Sequence, residues 1–321
     1  MMGGVSASNL ADAAMLSRMM VPEMERKGYN RAFAAAITAG GSLVTPIIPP
    51  GIALIIYGLV ADVSIGKMFI AGLVPGLLCA VVLMFTVYLV ARKTNAKPSR
   101  ESWPTGKEVV FSLGQAWPAL FLIFAVVGGI RANIFTPTEA GAVAVLIVLA
   151  IGFFIYREMR ISHVVKALGE TARATASVML VIMASAALGW IFSMEHAGVA
   201  VANFVTSLTE NKYMFLLIIN ILLLTLGMFL EGNAILLILV PLLKPVVEHF
   251  GIDPVHFGII MIFNLSIGAF TPPVGTVMLL VCNITQVSVG NFFKQSLPLL
   301  AALLLMLMLV TYIPAISLFL V

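Results

Sequence analysis

Long apolar runs separated by short polar segments make up most of the chain. Uninterrupted runs cover residues 68–91, 137–156, 213–230 and 297–321. A helix needs about 20 apolar residues to cross the roughly 30 Å hydrocarbon core of a bilayer, so each run predicts a spanning helix. Other apolar stretches are interrupted by Gly, Pro or polar residues. The pattern therefore predicts an all-α polytopic membrane protein.

Composition and charge support this class and exclude others. Of the 321 residues, 61% are hydrophobic and 10% are charged, whereas about a quarter are charged in a typical soluble domain. The net charge of +4 comes from Lys and Arg between the apolar runs, where basic residues orient a membrane protein, so nucleic acid is not an expected partner. The Cys and His residues show no disulfide or metal spacing, and no catalytic constellation is present, so an enzyme is not expected.

Two polar segments gather basic residues and predict the orientation of the chain. Residues 92–100 contain four Lys or Arg and no acid, so this segment is expected to be cytoplasmic. Alternate crossings from there bring a second basic segment, residues 157–166, to the same side. We therefore expect a multi-pass membrane protein with both of these segments on the cytoplasmic side.

An unusual pattern occurs twice in the chain. A Gly turn precedes an apolar helix that is interrupted by Pro-Pro, and the spacing from Gly28 to Pro49 and from Gly251 to Pro272 is 21 residues in each copy. Two unrelated Pro-kinked helices would give a similar picture by chance, but an internal repeat is favoured. Counting crossings makes the copies inverted, and inverted repeats with discontinuous helices are typical of secondary transporters.

A helix that is broken inside the bilayer exposes backbone carbonyls and amides, which must be satisfied. Carbonyls at 40–42 and 266–268, with the hydroxyls of Thr45 and Thr271, would form an uncharged oxygen site that suits Na⁺. Amides around Gly51 and Gly275, at the positive ends of half-helices, suit a carboxylate. We expect the polar hairpin tips, 6–9 and 232–233, to cap these sites from across each break.

Three ionisable residues at or near membrane depth have alternative interpretations. Asp12 is a functional candidate, but a structural role in capping its helix and holding the loop is favoured. Glu231 is interpreted either as a proton-coupling group or as a helix-end hydrogen-bond acceptor. Arg18 is a candidate contact for an anionic substrate, whereas pairing with Asp12 or reaching the cytoplasmic interface is the favoured alternative.

A family resemblance extends over essentially the whole chain. The stretches that carry it are SASNLADAAML, GYNRAFAAAITAGGSLVTPIIPPGIALIIYG, VSIGKMFIAGLVPGLL, GGIRANIFTPTEAGAVAV and GIDPVHFGIIMIFNLSIGAFTPPVGTVMLLVCNI. In these stretches the chain resembles the large membrane subunit of tripartite ATP-independent periplasmic (TRAP) transporters, which are uptake systems for dicarboxylates and sugar acids.

The resemblance implies an elevator-type transporter with a scaffold and a mobile domain that contains two helical hairpins. It also implies Na⁺-coupled import of a small organic acid, either a C4-dicarboxylate or a sugar acid such as a keto-gulonate. The implied partners are a small four-helix membrane subunit and a periplasmic substrate-binding protein. On this basis we expect the first hairpin arm and broken helix at 1–60, scaffold and connecting helices at 61–212, the second hairpin and broken helix at 213–290, and a C-terminal transmembrane helix at 291–321.

The same resemblance implies the site residues. Sodium ligands are expected at both hairpin tips and in both broken helices: Ser6, Ser8, Asn9, Gly41, Thr45, Gly232, Asn233, Gly268 and Thr271. The solute is expected to contact residues at and around the breaks: Ser42, Pro50, Gly51, Asn264, Pro273, Gly275 and Arg18. No organic cofactor is expected.

Three departures from the family pattern are visible. The family has several spans and the first arm of the hairpin before the position of Met1, so we expect a fragment or a misassigned start. Gly51 stands where the family often has Ser, and Arg18 replaces a small residue. Two other functions stay open: a stand-alone carboxylate transporter without a binding protein, and a truncated remnant that does not transport.

Overall fold

The computed structural model describes residues 8–93, 105–132, 134–157, 159–195 and 209–321, together with residues 200, 203 and 207. Within these residues the secondary structure is helical, and no strand occurs. The helices are α1 (Asn9–Arg26), α2 (Arg31–Ser42), α3 (Ile52–Ala61), α4 (Ile65–Lys93), α5 (Gly106–Arg131), α6 (Pro137–Ala150), α7 (Ile161–Met194), α8 (Lys212–Phe229), α9 (Gly232–His249), α10 (Pro254–Phe270), α11 (Thr276–Thr285), α12 (Val289–Tyr312) and α13 (Ala315–Leu318).

Four helices of the described part are long and apolar enough to cross a bilayer, namely α4, α8, α9 and α12. The predicted runs at 68–91 and 213–230 correspond to α4 and α8, and the run at 137–156 forms α6 and a π-helical turn at Ile151–Ile155. The run at 297–321 differs from its prediction. Its helix, α12, starts earlier, at the Ser288 cap, and ends at Tyr312, just before Pro314, which has no N–H to continue the ladder.

The chain divides into two compact units, residues 1–103 with 199–321, and residues 104–198. In the second unit, α5 and α6 pack around a small core of Leu122, Val126 and Ala140. Thr136 and Glu139 cap the start of α6 reciprocally. The helix α7 belongs to the same unit and is 34 residues long.

The first unit contains both of the broken segments that the Pro-Pro pattern predicts. The first helix of one segment, α2, ends at Ser42, and its continuation, α3, begins at Ile52. The other segment is interrupted between Phe270 and Thr276. In both interruptions the Pro-Pro peptide bond is cis. Each Pro lacks a backbone donor and its ring clashes with the preceding turn, so two in succession break the helix here, whereas isolated prolines lie inside α1, α4, α9 and α12.

Each broken segment is introduced by the same local structure. A glycine with positive φ forms the turn, at +86° for Gly28 and +59° for Gly251, which is a conformation that side chains disfavour. Two residues later an Asn or Asp caps the helix. The Oδ1 of Asn30 accepts from Ala32 N at 2.9 Å, and the Oδ1 of Asp253 accepts from Val255 N at 2.8 Å.

In the first unit, helices adjacent to one broken segment pack on helices of the other broken segment. The hairpin arm α9 packs on α3, and its counterpart α1 packs on α11. Similarly, α12 packs on α2, while α4 packs on α10. Two of the corresponding pairs also match in length, with 18 residues in α1 and α9 and 10 residues in α3 and α11, whereas α2 and α10 have 12 and 17 residues. A two-fold relation between the copies would produce this pattern of contacts; the inverted repeat itself stays a prediction.

Candidate functional site

A cavity of about 100 Å³ lies where both hairpin tips and both broken segments meet. Its lining comes from the starts of α1, α3, α9 and α11, from the first break, and from the C-terminal half of α10. The lining residues are Ser8, Asn9, Leu10, Pro46, Ile52, Ala53, Glu231, Gly232, Asn233, Leu236, Ile262, Leu265, Ser266, Ala269 and Thr276. The cavity therefore has hydroxyl, amide and carboxyl groups set in an apolar wall.

The first residues of two half-helices contribute to this lining. Ile52 and Ala53 open α3, and Thr276 opens α11. At both helix starts the cap residue is a glycine, Gly51 or Gly275, and no side chain of the described residues caps the terminal amides. The starts of both helices, with the positive end of each helix dipole, therefore lie at the cavity, where they favour a negative group.

Side-chain hydrogen bonds secure the first break to α1. The hydroxyl of Thr45 donates to Asp12 Oδ2 at 2.6 Å. Asp12 is only 1% exposed, and no described residue donates to its second oxygen, Oδ1. One turn before Asp12, at the cavity lining, the helix start is capped by Ser8, whose Oγ accepts from Ala11 N at 3.4 Å. Asp12 therefore ties α1 to the break and leaves one buried acceptor atom.

Backbone contacts secure the second break to α8. A Cβ added to Gly268 would lie 2.7 Å from the backbone of Gly227, so these helices meet without intervening side chains. Beyond the break, Gly275 N donates to the carbonyl of Met228 at 2.8 Å. The Thr271 hydroxyl donates to Ile267 O in its own helix at 2.7 Å, so its oxygen lone pairs stay available to accept.

Glu231 forms the N-cap of α9, which is one of its two predicted roles. Its Oε2 accepts from Ala234 N at 3.0 Å, and its Oε1 accepts from Asn233 Nδ2 at 2.8 Å. The carboxylate is thereby fixed at the hairpin tip on the lining of the cavity.

The predicted site residues fall into three groups. Four of them line the cavity: Ser8, Asn9, Gly232 and Asn233. Those near the breaks but outside the lining are Gly41, Ser42, Thr45, Pro50, Gly51, Gly268, Thr271, Pro273 and Gly275. The remaining three are elsewhere: Asn264 is buried inside α10, Arg18 is exposed on α1, and Ser6 lies outside the described residues.

Asn264 belongs to a buried polar network instead of the cavity wall. Its Nδ2 donates to Asn220 Oδ1 at 2.6 Å, and Asn220 Nδ2 donates to Thr311 Oγ1 at 3.0 Å. Further along α10, the ring of His256 contacts Ser317 Oγ at 2.6 Å and Thr311 O at 3.3 Å. The network links α8, α10, α12 and α13.

Sequence reasoning did not select Gly227 or Thr276. Gly227 is one glycine in an apolar helix, and only its closeness to Gly268 makes its backbone part of the second break. Thr276 follows Gly275 directly, so its place at the start of the half-helix was the signal that could have identified it.

An all-helical membrane protein in which two broken helices and two hairpin tips enclose one polar cavity has the architecture of a secondary-transporter permease. Comparison with known proteins then gives the family. The family model described as "Tripartite ATP-independent periplasmic transporter, DctM component" matches residues 1–316. The chain belongs to this family.

Characterised relatives span most of the chain. The C4-dicarboxylate TRAP transporter large permease protein DctM of Pseudomonas aeruginosa is 39% identical over 98% of this chain and 73% of its own length. The sialic acid TRAP transporter large permease protein SiaM of Vibrio cholerae is 39% identical over 99% and 74%. The 2,3-diketo-L-gulonate TRAP transporter large permease protein YiaN of Escherichia coli is 33% identical over 98% and 73%. All three are named as transporter permeases, and their named solutes are acids of different kinds.

Proposed function

We propose that this chain is the large permease subunit of a Na⁺-coupled importer of a small organic acid in the bacterial inner membrane. The observation that carries the proposal is the single cavity shared by both hairpin tips and both half-helix starts. A solute in that cavity would contact both broken segments at once, which is how midplane sites of secondary transporters are built.

The residues near the first break fit a sodium ion. Na⁺ binds oxygen ligands, and the unpartnered Oδ1 of Asp12 is a buried acceptor. The Thr45 hydroxyl donates its hydrogen bond to Asp12, so the lone pairs of its oxygen remain available to an ion. Ser8, Asn9 and the Gly41 carbonyl are the other proposed ligands, and Ser6 keeps its predicted role. Asp12 is an addition to the ligand set that the sequence predicts.

The residues near the second break fit a second ion. The proposed ligands are Gly232, Asn233, Gly268 and Thr271, and the Gly227 backbone joins them because it touches Gly268. This set contains neutral oxygens only. A Na⁺ bound to this set would supply a positive charge that attracts an anionic solute. Binding of the solute would therefore depend on binding of the ion.

The solute carboxylate would bind at the uncapped starts of α3 and α11. A half-helix N-terminus presents unpaired N–H groups and a partial positive charge, and both favour a carboxylate. Gly51 and Gly275 let the backbone turn tightly there: Cβ atoms at these positions would lie 2.4 Å from Pro46 O and 2.7 Å from Thr271 O.

For the elevator mechanism, we propose that α4 moves with the broken helices. The sequence-based division placed residues 61–212 in the scaffold, but α4 packs on α2, α3, α10 and α12. If α4 stayed in place while the broken helices moved, its contacts with both broken segments would have to break. The proposed partners are the small four-helix membrane subunit and a periplasmic binding protein that delivers the solute.

Transport by vesicles that contain the three-component assembly tests the proposal. C4-dicarboxylates and sugar acids are offered as solutes with and without a Na⁺ gradient, and uptake should require Na⁺. Thr271→Val and Asn233→Ala each remove one proposed ligand and should raise the Na⁺ concentration for half-maximal uptake about tenfold, the equivalent of one lost polar contact.

Thr86→Val is the matched control, because the Thr86 hydroxyl also donates to a carbonyl of its own helix, Val82 O at 2.8 Å, and Thr86 is neither in the cavity lining nor among the proposed ligands. Its Na⁺ dependence should equal that of the wild type. Uptake of every acid without any Na⁺ requirement would reject the coupling, and a flat signal from the complete assembly would reject transport.

A further inference from the structure

A crevice of about 10 Å³ lies one helical turn beyond the cavity, along three of the same helices. On each helix one residue lines the cavity and another, four or five positions away, lines the crevice: Ala53 and Tyr57 on α3, Leu236 and Val240 on α9, and Ile262 and Phe257 on α10. This spacing corresponds to about 6–8 Å along a helix. Because α3, α9 and α10 pack on one another, the cavity and the crevice lie in one groove between them.

The side chain of Tyr57 closes the inner end of the crevice. Its ring lies against Gly258 of α10, where an added Cβ would meet the ring atom Cδ1 at 2.6 Å. Its hydroxyl donates to Pro254 O at 2.6 Å. The residue is only 2% exposed. The ring is therefore held between α3 and α10, and the glycine provides the space in which it fits.

The layer between the cavity and the crevice is apolar. At the level of the ring, Leu236, Val240 and Phe257 are all buried, each at most 3% exposed. An ion that entered this layer would lose its water without gaining oxygen ligands, which is strongly unfavourable. The packed layer therefore blocks the passage of Na⁺ along the groove.

The two sides of this layer differ in their surroundings. On one side is the cavity, with the groups proposed to bind the solute and Na⁺. On the other side, the crevice has two exposed charged residues, Lys244 and Glu248. Lys244 is 12 residues from the start of α9, or about 18 Å along the axis, which exceeds half of the roughly 30 Å hydrocarbon. With the start of α9 at the bilayer midplane, as the proposed function requires, the crevice opens at the membrane surface.

We propose that Tyr57 is a sealing residue, whose ring stops Na⁺ from passing between the cavity and the membrane surface through the groove of α3, α9 and α10. The proposal rests on the proposed function, because it concerns the ion that the cavity would hold. A symporter keeps its coupling only when the ion cannot cross the membrane without the solute. With the groove sealed, Na⁺ leaves its site only after the broken helices have moved.

Entry of Na⁺ into vesicles in the absence of any acid tests the seal. The purified three-component assembly is reconstituted, a Na⁺ gradient and an inside-negative K⁺ diffusion potential are applied, and entry of radioactive Na⁺ is followed. Tyr57→Ala removes the ring and would join the cavity to the crevice. We expect Na⁺ entry to be at least about tenfold faster than in the wild type, which corresponds to a barrier lowered by about 1.4 kcal/mol.

Three further variants assign the leak to the ring. Tyr57→Phe keeps the ring but loses the bond to Pro254, so its Na⁺ entry should match that of the wild type. Tyr88→Ala makes the same truncation at a side chain on α4 that is 55% exposed, and it should not leak. Tyr57→Val leaves part of the ring volume empty and should leak as well. It replaces Tyr57→Ala in the test if thermal unfolding shows that the Ala variant does not fold.

The outcomes separate this proposal from the proposed function. A folded Tyr57→Ala assembly that admits Na⁺ no faster than the wild type would overturn the seal. Equal leaks in Tyr57→Ala and Tyr88→Ala would overturn it too, because the leak would then not arise in the groove. The proposed function fails on a different measurement, namely acid uptake by the wild-type assembly that is absent or needs no Na⁺. Because the leak is measured without acid, its result can be interpreted in either case.

Discussion

The first break reaches its neighbours through buried side-chain hydrogen bonds, whereas the second is packed backbone against backbone. Counted from the turn glycines Gly28 and Gly251, Gly268 stands at the position of Thr45. Thr45 donates to Asp12 on α1; Gly268 has no side chain and brings its helix against Gly227 on α8. Each copy holds an interrupted helix in place, and the two copies use different kinds of contact to do so.

The same contrast extends along the hairpin arms. Ser17 Oγ lies 3.2 Å from Thr38 Oγ1 in a buried contact between α1 and α2. At the equivalent positions the second copy has Val240 and Met261, both of which are buried. The comparison indicates that the backbone geometry of the two copies is constrained, whereas the side chains that hold each broken helix can differ. Loss of a hydroxyl should therefore lower stability at the polar contacts, and gain of a methyl should lower it at the backbone contacts.

The largest effect is expected from Gly268→Ala. The added methyl would meet the backbone of Gly227 at 2.7 Å, and backbone cannot move aside as a flexible side chain can. Overpacking of this kind costs about 1–3 kcal/mol and occasionally more. We expect a lower melting temperature in detergent and a reduced yield of folded protein. Gly41→Ala is the matched control, because nothing lies within 4 Å of its added Cβ; equal melting temperatures for both variants would contradict the contrast.

An effect of similar size is expected from Thr45→Val, which leaves a buried carboxylate without its donor. Loss of a hydrogen bond to a charged group costs about 1.5–3 kcal/mol. Thr271→Val, at the second break, removes a bond to a carbonyl of its own helix and should cost about 1 kcal/mol or less. Denaturation of both variants in the same detergent makes the comparison. Equal losses of stability would mean that the Asp12 contact does not distinguish the two breaks.

The smallest effect is expected from the Ser17–Thr38 contact. A double-mutant cycle with Ser17→Ala and Thr38→Val should give a coupling energy of about 1 kcal/mol, as one buried hydroxyl pair provides. The control cycle pairs Ser17→Ala with Ser296→Ala, a buried serine that bonds to Phe293 O in its own helix. That cycle should be additive. A coupling energy near zero for Ser17 and Thr38 would mean that this contact does not contribute to the difference between the two copies.

The breaks and turns could be predicted from sequence because their causes are local. Two consecutive prolines, Pro49-Pro50 or Pro272-Pro273, remove two backbone donors from one helical turn, and Gly28 and Gly251 supply the positive φ of the preceding turn. The N-cap role of Glu231 was among its predicted alternatives for the same reason. Each of these features depends on residues within one or two helical turns.

The contacts that fix the site could not be predicted, since they join residues that are far apart in the chain. Asp12 and Thr45 are 33 positions apart, and Asn220 and Thr311 are 91 apart. Hydrophobic periodicity shows which face of a helix is buried but not which residue it meets. Asn264 illustrates this limit: the family resemblance implied a solute contact for it, whereas its side chain bonds to Asn220.

The length of α7 has a consequence for where the membrane surface lies. With 34 residues, the helix is about 51 Å long, against roughly 30 Å of hydrocarbon. Its charged residues, including Lys166, Glu170 and Arg173, are confined to the first 13 positions, which measure about 20 Å. The remaining 21 residues match the bilayer thickness on their own. The polar end of α7 must therefore stand out in water as a rigid rod that continues the span.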